Sequence, residues 1–371
     1  MAGSTRRGAR RVQVAALLAV AALTFTACGS SGGSSGSASS SGSGSKDFGK
    51  VTMQYSWIKN EEFTGEYYAQ KNGYYEDAGF SSVTGISGPD TGVAKLLSGK
   101  VDVALSDAAS VGAAVAEQDA PLKIIGATFQ KNPFTILSLK NKGNIKTPQD
   151  LIGKKIGVQD SNASVFAAIL KANNIDPKQV TVVPVEFDPT PLMKGDVDGF
   201  MAYLTNEAIS VKMSGYDITN LPYADNGVPY VAETYTVTDQ YLKENHDKLK
   251  ALLTAEIKGW SDAYKSSTSD SVALITKTYN AAASADSKGS EATFGALDPK
   301  KTAAGLEAEK QLISTSDTMA NGLFTISDAL KKQTVASLAA AGWKVSVADL
   351  FDTSIIDEIY KDNPDLKAYQ P

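Results

Sequence analysis

One histidine and one cysteine in 371 residues leave the common kinds of side-chain catalysis short of members. With Cys28 alone, no disulfide forms within the chain, and Cys/His metal sites and acyl-transfer triads have no candidates. His246, the sole histidine, lies in the charged stretch Lys243 to Lys250 and is expected on the solvated surface. No stretch after residue 45 approaches the ~20 consecutive apolar residues of a membrane-spanning helix. An excess of positive charge is also missing: net charge is -5, which disfavours a nucleic-acid partner, since phosphate binding needs a basic field. Lys154-Lys155 within GKKIG is not a phosphate loop, because the four-residue spacing between glycines and a following Ser or Thr are absent. No catalytic residue, metal or cofactor is therefore expected.

What is present begins with a leader. Arg6, Arg7, Arg10 and Arg11 precede an apolar run from Val12 to Phe25, the order of a secretory signal peptide. The run ends in Leu23-Thr24-Phe25-Thr26-Ala27-Cys28-Gly29, which resembles a lipobox, where cleavage precedes a cysteine that receives diacylglycerol. Residues 1–27 are thus expected to be removed and Cys28 to hold the chain on the outer face of the cell membrane. Residues 29–45 are 17 residues of Gly, Ser and one Ala, a flexible tether with a root-mean-square reach of about 20–25 Å. Removing the leader leaves 32 basic against 41 acidic residues, a mature charge of -9.

From Lys50 onward, short β-rich runs alternate with helical stretches, which indicates α/β layers with mainly parallel strands. Strands are expected at Val51 to Tyr55, Val83 to Ile86, Val101 to Leu105, Leu122 to Thr128 and Thr135 to Leu139, with helices near Gly65 to Asn72, Thr91 to Leu97 and Asp107 to Glu117. A second series opens at Thr147-Pro148, an N-cap followed by proline at the first helical position. It continues through strand Lys155 to Val158, helix Ser164 to Asn173, strands Val180 to Val183 and Val197 to Tyr203, and helix Asn206 to Ser214. After Val231 to Val237 the chain turns helical; Leu249, Leu252, Leu253, Ile257, Trp260 and Tyr264 mark one apolar helix face. The expected organisation is a first lobe from 46–140, a second from 141–233, and a return with C-terminal helices from 234–371. Crossings near Leu139 to Asn144 and near Val231 to Thr236 would form a hinge. A two-lobed hinged α/β protein on a lipid tether has the architecture of a solute-binding protein.

Trp57 after the first strand, then GEYYAQKNGYYEDAGF (Gly65 to Phe80), LLSGKVDVALSDAASV (Leu96 to Val111), DLIGKKIGV (Asp150 to Val158) and GDVDGFMAYLTNE (Gly195 to Glu207), resemble the substrate-binding proteins of ABC importers. More narrowly, they resemble the group that includes binders of alkanesulfonates, nitrate, riboflavin and thiamine-pyrimidine precursors, together with the eukaryotic thiamine pyrimidine synthase. The resemblance covers about Lys50 to Lys265 and implies a two-lobed periplasmic-binding-protein type II fold, a small-molecule ligand, an ABC permease as partner and a monomer. The synthase is an enzyme that uses pyridoxal phosphate and one of its own histidines. Its cofactor lysine and that histidine correspond to Ser106 and Ser110 here, and its cysteine run has no counterpart in Gly227 to Thr236. A Schiff base requires an amine, so the resemblance implies binding, not synthesis.

Ligands of open α/β sheets sit beyond the carboxyl ends of strands and, in two-lobed proteins, in the cleft. That rule selects Trp57, Phe63 and Tyr67 after the first strand, as stacking surfaces or as packing under the cleft edge. Ser106 and Asp107 follow the third strand, where they reach a ligand or merely cap a helix. Ser161, Asn162 and Ser164 hold the equivalent turn across the cleft, whose free N–H groups also suit an anion or carbonyl. Asn206 and Glu207 follow Tyr203; a glutamate there is favourable by helix dipole alone, and in the resembling family it often faces the ligand. Phe129, Phe134 and Tyr203 add flat surfaces, while Tyr68, Tyr74 and Tyr75 are assigned to packing. Asp188-Pro189-Thr190-Pro191 and Leu221-Pro222 shape the cleft mouth or simply end strands. No candidate turn carries an arginine for bidentate anion binding, so a neutral or weakly basic heteroaromatic, pyrimidine-like or flavin-like, is favoured over a sulfonate or nitrate. A ligand-sensing lipoprotein remains a third class.

Overall fold

The structure is a computed structural model, and it describes residues 46–371; the expected signal peptide, the lipid-bearing Cys28 and the Gly/Ser tether lie outside the described residues. Strands β1 (Gly49–Gln54), β2 (Phe80–Ile86), β3 (Val103–Asp107) and β4 (Leu122–Phe129) build a first sheet. Strands β5 (Phe134–Leu139), β6 (Lys155–Val158), β7 (Thr181–Pro184), β8 (Gly199–Tyr203) and β9 (Ile218–Pro222) build a second, and β10 (Ala232–Thr238) rejoins the first. The orders are β2-β1-β3-β10-β4 and β7-β6-β8-β5-β9.

Two sequence-based expectations change. β5, expected in the first lobe, pairs antiparallel with β8 and β9, so the chain first crosses at 130–133 rather than at 139–144. It returns over 223–231. Strand pairing is mixed rather than mainly parallel: β1 runs parallel to β2 and β3, and β6 to β7 and β8, but β10 is antiparallel to both of its neighbours. The crossings explain this, because a strand arriving from the other lobe enters its sheet from the opposite end.

Alternation along the strands sorts side chains into three buried clusters. Val51 and Met53 of β1, Leu105 of β3 and Tyr235 of β10 face the helices Thr64–Lys71, His246–Lys265 and Ser354–Asp362. The helix His246–Lys265 carries the apolar face expected from its spacing, with Leu249, Leu252, Leu253, Ile257 and Trp260 buried. It crosses Thr64–Lys71 at two glycines: a Cβ on Gly259 would lie 2.1 Å from the Gly65 carbonyl oxygen, and one on Gly65 would lie 2.0 Å from the Trp260 ring. On the far side of the second sheet, Leu137 and Leu139 pack with Leu192, Phe200 and Val211. The third cluster is shared between the lobes: Ala104 and Ile124 of the first sheet join Ile136, Ile156, Met201 and Leu221 of the second, with Val165, Leu338 and Trp343 from the surrounding helices. Among the described residues, no helix is long and apolar enough to cross a membrane.

Candidate functional site

Each of the two sheets presents strand ends to one cleft, the place where two-lobed α/β proteins take small molecules. The walls come from the turns after β1 (Ser56, Trp57, Glu62), β2 (Asp90) and β6 (Gln159, Ser161, Asn162), from the last residues of β3 (Ser106, Asp107), and from the end of β8 and the turn after it (Tyr203, Asn206, Glu207), joined by Phe134, Phe187 and Glu233. The structure therefore brings together Trp57, Ser106, Asp107, Phe134, Ser161, Asn162, Tyr203, Asn206 and Glu207 from the expected residues.

The remaining four lie elsewhere. Phe63 is fully buried and stacks on Tyr55 with ring centroids 4.4 Å apart and planes 12° apart. Phe129 and Tyr67 pack into the first-lobe core beside it, and Ser164, the second residue of the helix Ala163–Ala172, is not among the cleft-lining residues. Helix phase decides these positions: after the turn at Asn60, the short helix Glu61–Phe63 sends Glu62 toward the cleft and Phe63 into the core. His246 is partly exposed and lies 3.3 Å from Glu358, far from the cleft lining.

Aromatic groups meet across the lobes. Trp57 of the first lobe packs edge-on to Phe187 of the second at 4.2 Å and 64°, and also meets Phe294 at 5.2 Å. Phe134 meets Tyr203 edge-to-face at 4.5 Å and 85°. Phe187, which lines the cleft, immediately precedes the Asp188-Pro189 turn, and Leu221-Pro222 ends β9. The Lys301 ammonium, on the helix Pro299–Ile313, bonds Asn206 Oδ1 and so ties that helix to the second lobe.

Five carboxyl groups line the cleft and, among the described residues, no lysine, arginine or histidine does; of these, Asp90 pairs with Lys95 at 2.9 Å and accepts from Gly92 N at 2.8 Å. Asp107 caps the helix Ala108–Gln118, accepting from Ala109 N and Ser110 N at 2.9 Å each and from Ser110 Oγ at 2.6 Å. Glu207 accepts from Tyr203 N at 2.8 Å and from Asn206 Nδ2 at 3.2 Å, which fixes the turn after β8. Glu62 accepts from Asn60 Nδ2 at 3.1 Å through one oxygen, and the other has no partner. Glu233 takes Ser56 Oγ on both oxygens, at 2.9 and 2.8 Å.

Glu233 is also strained. It is the extra residue where the β10 register against β3 shifts between Ala232 and Thr234, and its φ is +45°. A left-handed conformation costs a non-glycine residue about 1–2 kcal/mol, and bulges of this kind re-aim a side chain. Burial raises the pKa of Glu62, Glu233, Glu207 and Asp107. In Glu62 it acts first, with the neighbouring Glu61 charge adding to it against the Asn60 bond, and carries the carboxyl to about 8. In Glu233 burial and then the charge of Glu62 push it well up, opposed by the Ser56 bond. Glu207 and Asp107 rise by burial, opposed by the hydrogen bonds they accept.

Glu62 and Glu233 were not legible in the sequence as site residues: Glu62 reads as a first-turn helix acid, and a bulge is a property of strand pairing. Pyridoxal phosphate does not fit this cleft. Ser106 stands where the synthase has its lysine, its hydroxyl has no partner, and no cleft side chain offers an amine.

Comparison with known proteins follows the same lines. A Haemophilus influenzae protein whose name refers to thiamine biosynthesis is 28% identical over 221 residues, 56% of this chain and 66% of that relative, just under two thirds of its length. The periplasmic nitrate-binding protein of Synechocystis PCC 6803 superposes with a TM-score of 0.60 at 10% identity, over 87% of this chain and 91% of that one. The periplasmic aliphatic sulphonate-binding protein of Escherichia coli gives 0.56 at 14%, over 78% and 90%. These likenesses place the fold among periplasmic binding proteins. The family model described as NMT1/THI5 like matches residues 60–268, more than half of the chain, and the protein belongs to that family.

Proposed function

We propose that the chain is the extracytoplasmic binding component of an ABC importer, held at the membrane by lipid on Cys28, and that it closes its lobes on a small heteroaromatic solute carrying a ring amine. One observation carries this reading: aromatic side chains from both lobes face a cleft lined by five carboxyl groups and no basic side chain. Flat rings suit stacking, worth about 0.5–1.5 kcal/mol beyond burial, and carboxyl groups suit N–H donors. The same acids repel a sulfonate or nitrate, the ligands named for two proteins of this fold, and a missing amine at position 106 counts against the synthase reaction.

A thermal-shift panel with hydroxymethylpyrimidine, formylaminopyrimidine, thiamine, riboflavin, taurine and nitrate tests it. A ligand at 100 times its dissociation constant adds about 2.7 kcal/mol of stability, several degrees for a protein of this size. A ring compound is expected to stabilise the protein, and Trp57→Ala and Glu207→Ala are each expected to weaken its binding at least tenfold, about 1.4 kcal/mol. His246→Ala is expected to leave binding unchanged. Stabilisation by taurine or nitrate alone would overturn the reading.

A further inference from the structure

The five acids of the cleft are not equivalent, and Asp90 is already paired with Lys95. Asp107 and Glu207 spend their oxygens on the helix and turn they belong to, so their charge is already met by backbone and side-chain donors. Glu62 leaves one buried oxygen without a partner. Glu233 has a single hydroxyl proton, that of Ser56, to share between two oxygens, whereas a carboxylate can accept about four hydrogen bonds. Both side chains are nearly inaccessible, 2% exposed for Glu62 and 1% for Glu233. A strained backbone holds Glu233 in place, and strain of this kind persists where surrounding structure enforces it and collects at ligand clamps.

We infer that Glu62 and Glu233 together form a receptor for a cationic, N–H-bearing end of the ligand, so that the cleft selects a protonated ring amine over a neutral ring of the same shape. This rests on the reading of the cleft as a solute site. The groups facing the pair are mostly acids or neutral: Glu61, Glu207, Asn60 and Lys301 act on Glu62, Asp107, Glu66 and Ser56 act on Glu233, and Glu309 and Tyr203 face both. Lys301 is the single cation among them, and its ammonium is engaged by Asn206. Without ligand the charge of Glu62 raises Glu233, so the pair holds at least one proton near neutral pH; a ring that arrives neutral takes that proton at its ring nitrogen and is held as the cation. Binding then exchanges no net proton with solvent while the free ring is neutral and the pair protonated, and it weakens at lower pH, where the ring is already protonated in solution.

Calorimetry at pH 7.5 with 4-amino-5-hydroxymethyl-2-methylpyrimidine and its 4-oxo counterpart, in two buffers of different ionisation enthalpy, reads both affinity and protons exchanged. The amino compound is expected to bind at least tenfold more tightly than the oxo compound, with no net proton exchange because the pair's proton passes to the ring. Glu233→Gln, which keeps shape and hydrogen bonding, is expected to erase the preference while its melting temperature stays at or above that of the parent. Glu62→Gln is expected to act in the same direction. An oxo compound bound as tightly as the amino compound, or a Glu233→Gln protein that keeps the preference, would overturn the inference and leave the heteroaromatic reading standing. Binding of taurine or nitrate with no response to either ring would remove both.

Discussion

Replacing Gly259 by alanine is expected to lower folding stability by about 3 kcal/mol, at the top of the usual range for overpacking. The obstacle is main chain: the new methyl would meet the Gly65 carbonyl oxygen at 2.1 Å and the Ala69 nitrogen at 2.8 Å. Backbone in a helix cannot rotate aside as a side-chain tip can, so the helices Thr64–Lys71 and His246–Lys265 must separate. Separation uncovers Trp260, Ile257 and Leu253, which are 3% exposed or less in the native packing. Urea unfolding reads the change as a lower midpoint at unchanged slope. A loss below about 0.5 kcal/mol, the scatter typical of surface substitutions, would show that the two helices do not cross this closely.

Stability of the ligand-free protein is expected to fall by several kcal/mol as pH rises from about 5 to 8. Behind the cleft, Glu66 accepts from Tyr235 Oη at 2.7 Å and Glu256 from Tyr75 Oη at 2.6 Å, and each keeps a second buried oxygen without a partner. Burial raises Glu66 to about 7, against the Tyr235 bond, and burial followed by the Glu66 charge pushes Glu256 well up. With Glu62 at about 8, the folded state holds protons that the unfolded chain, with glutamates near 4.3, has given up. Wherever the folded state binds more protons, stability decreases with pH. The contribution is complete below the unfolded value and lost through the folded values. The lowered carboxyl groups of Asp150, Asp247, Asp349 and Asp362 act below about pH 4, outside this window. Glu256→Gln is expected to raise the melting temperature at pH 8 and to flatten its pH dependence; a melting temperature that climbs from pH 5 to 8 would contradict this account.

Local pattern carried the alternation of strands and helices, but not the sheet to which each strand belongs. β5 reads as a strand from Thr135 to Leu139 in either lobe, and only its pairing with β8 assigns it to the second. β9, Ile218–Pro222, escaped because its sequence, ITNLP, has weak strand character and ends in proline. The cleft turns were legible at Trp57, Ser106, Asp107, Ser161, Asn162 and Asn206–Glu207, since a strand's carboxyl end fixes where the next residues emerge. Aromatic identity was a poorer guide. Phe63 and Phe129 are as flat as Trp57 and Phe134, yet one stacks on Tyr55 and the other lies in the first-lobe core. Glu233 was beyond reach, because a positive φ in a glutamate is imposed by the register of β3 and β10.

The buried cluster shared by the two sheets makes the lobes one cooperative folding unit. Ala104 and Ile124 on one side and Ile136, Ile156 and Met201 on the other belong to the same apolar mass, so neither sheet can expose its inner face while the other keeps its own. Free energy gained at the cleft is then felt throughout the chain. A segment as remote from the cleft lining as the helix Asp328–Ala341, buried in this shared mass through Leu338 and Ala341, opens to a protease only when the whole unit opens, and cleavage there becomes a report of whether the cleft is occupied.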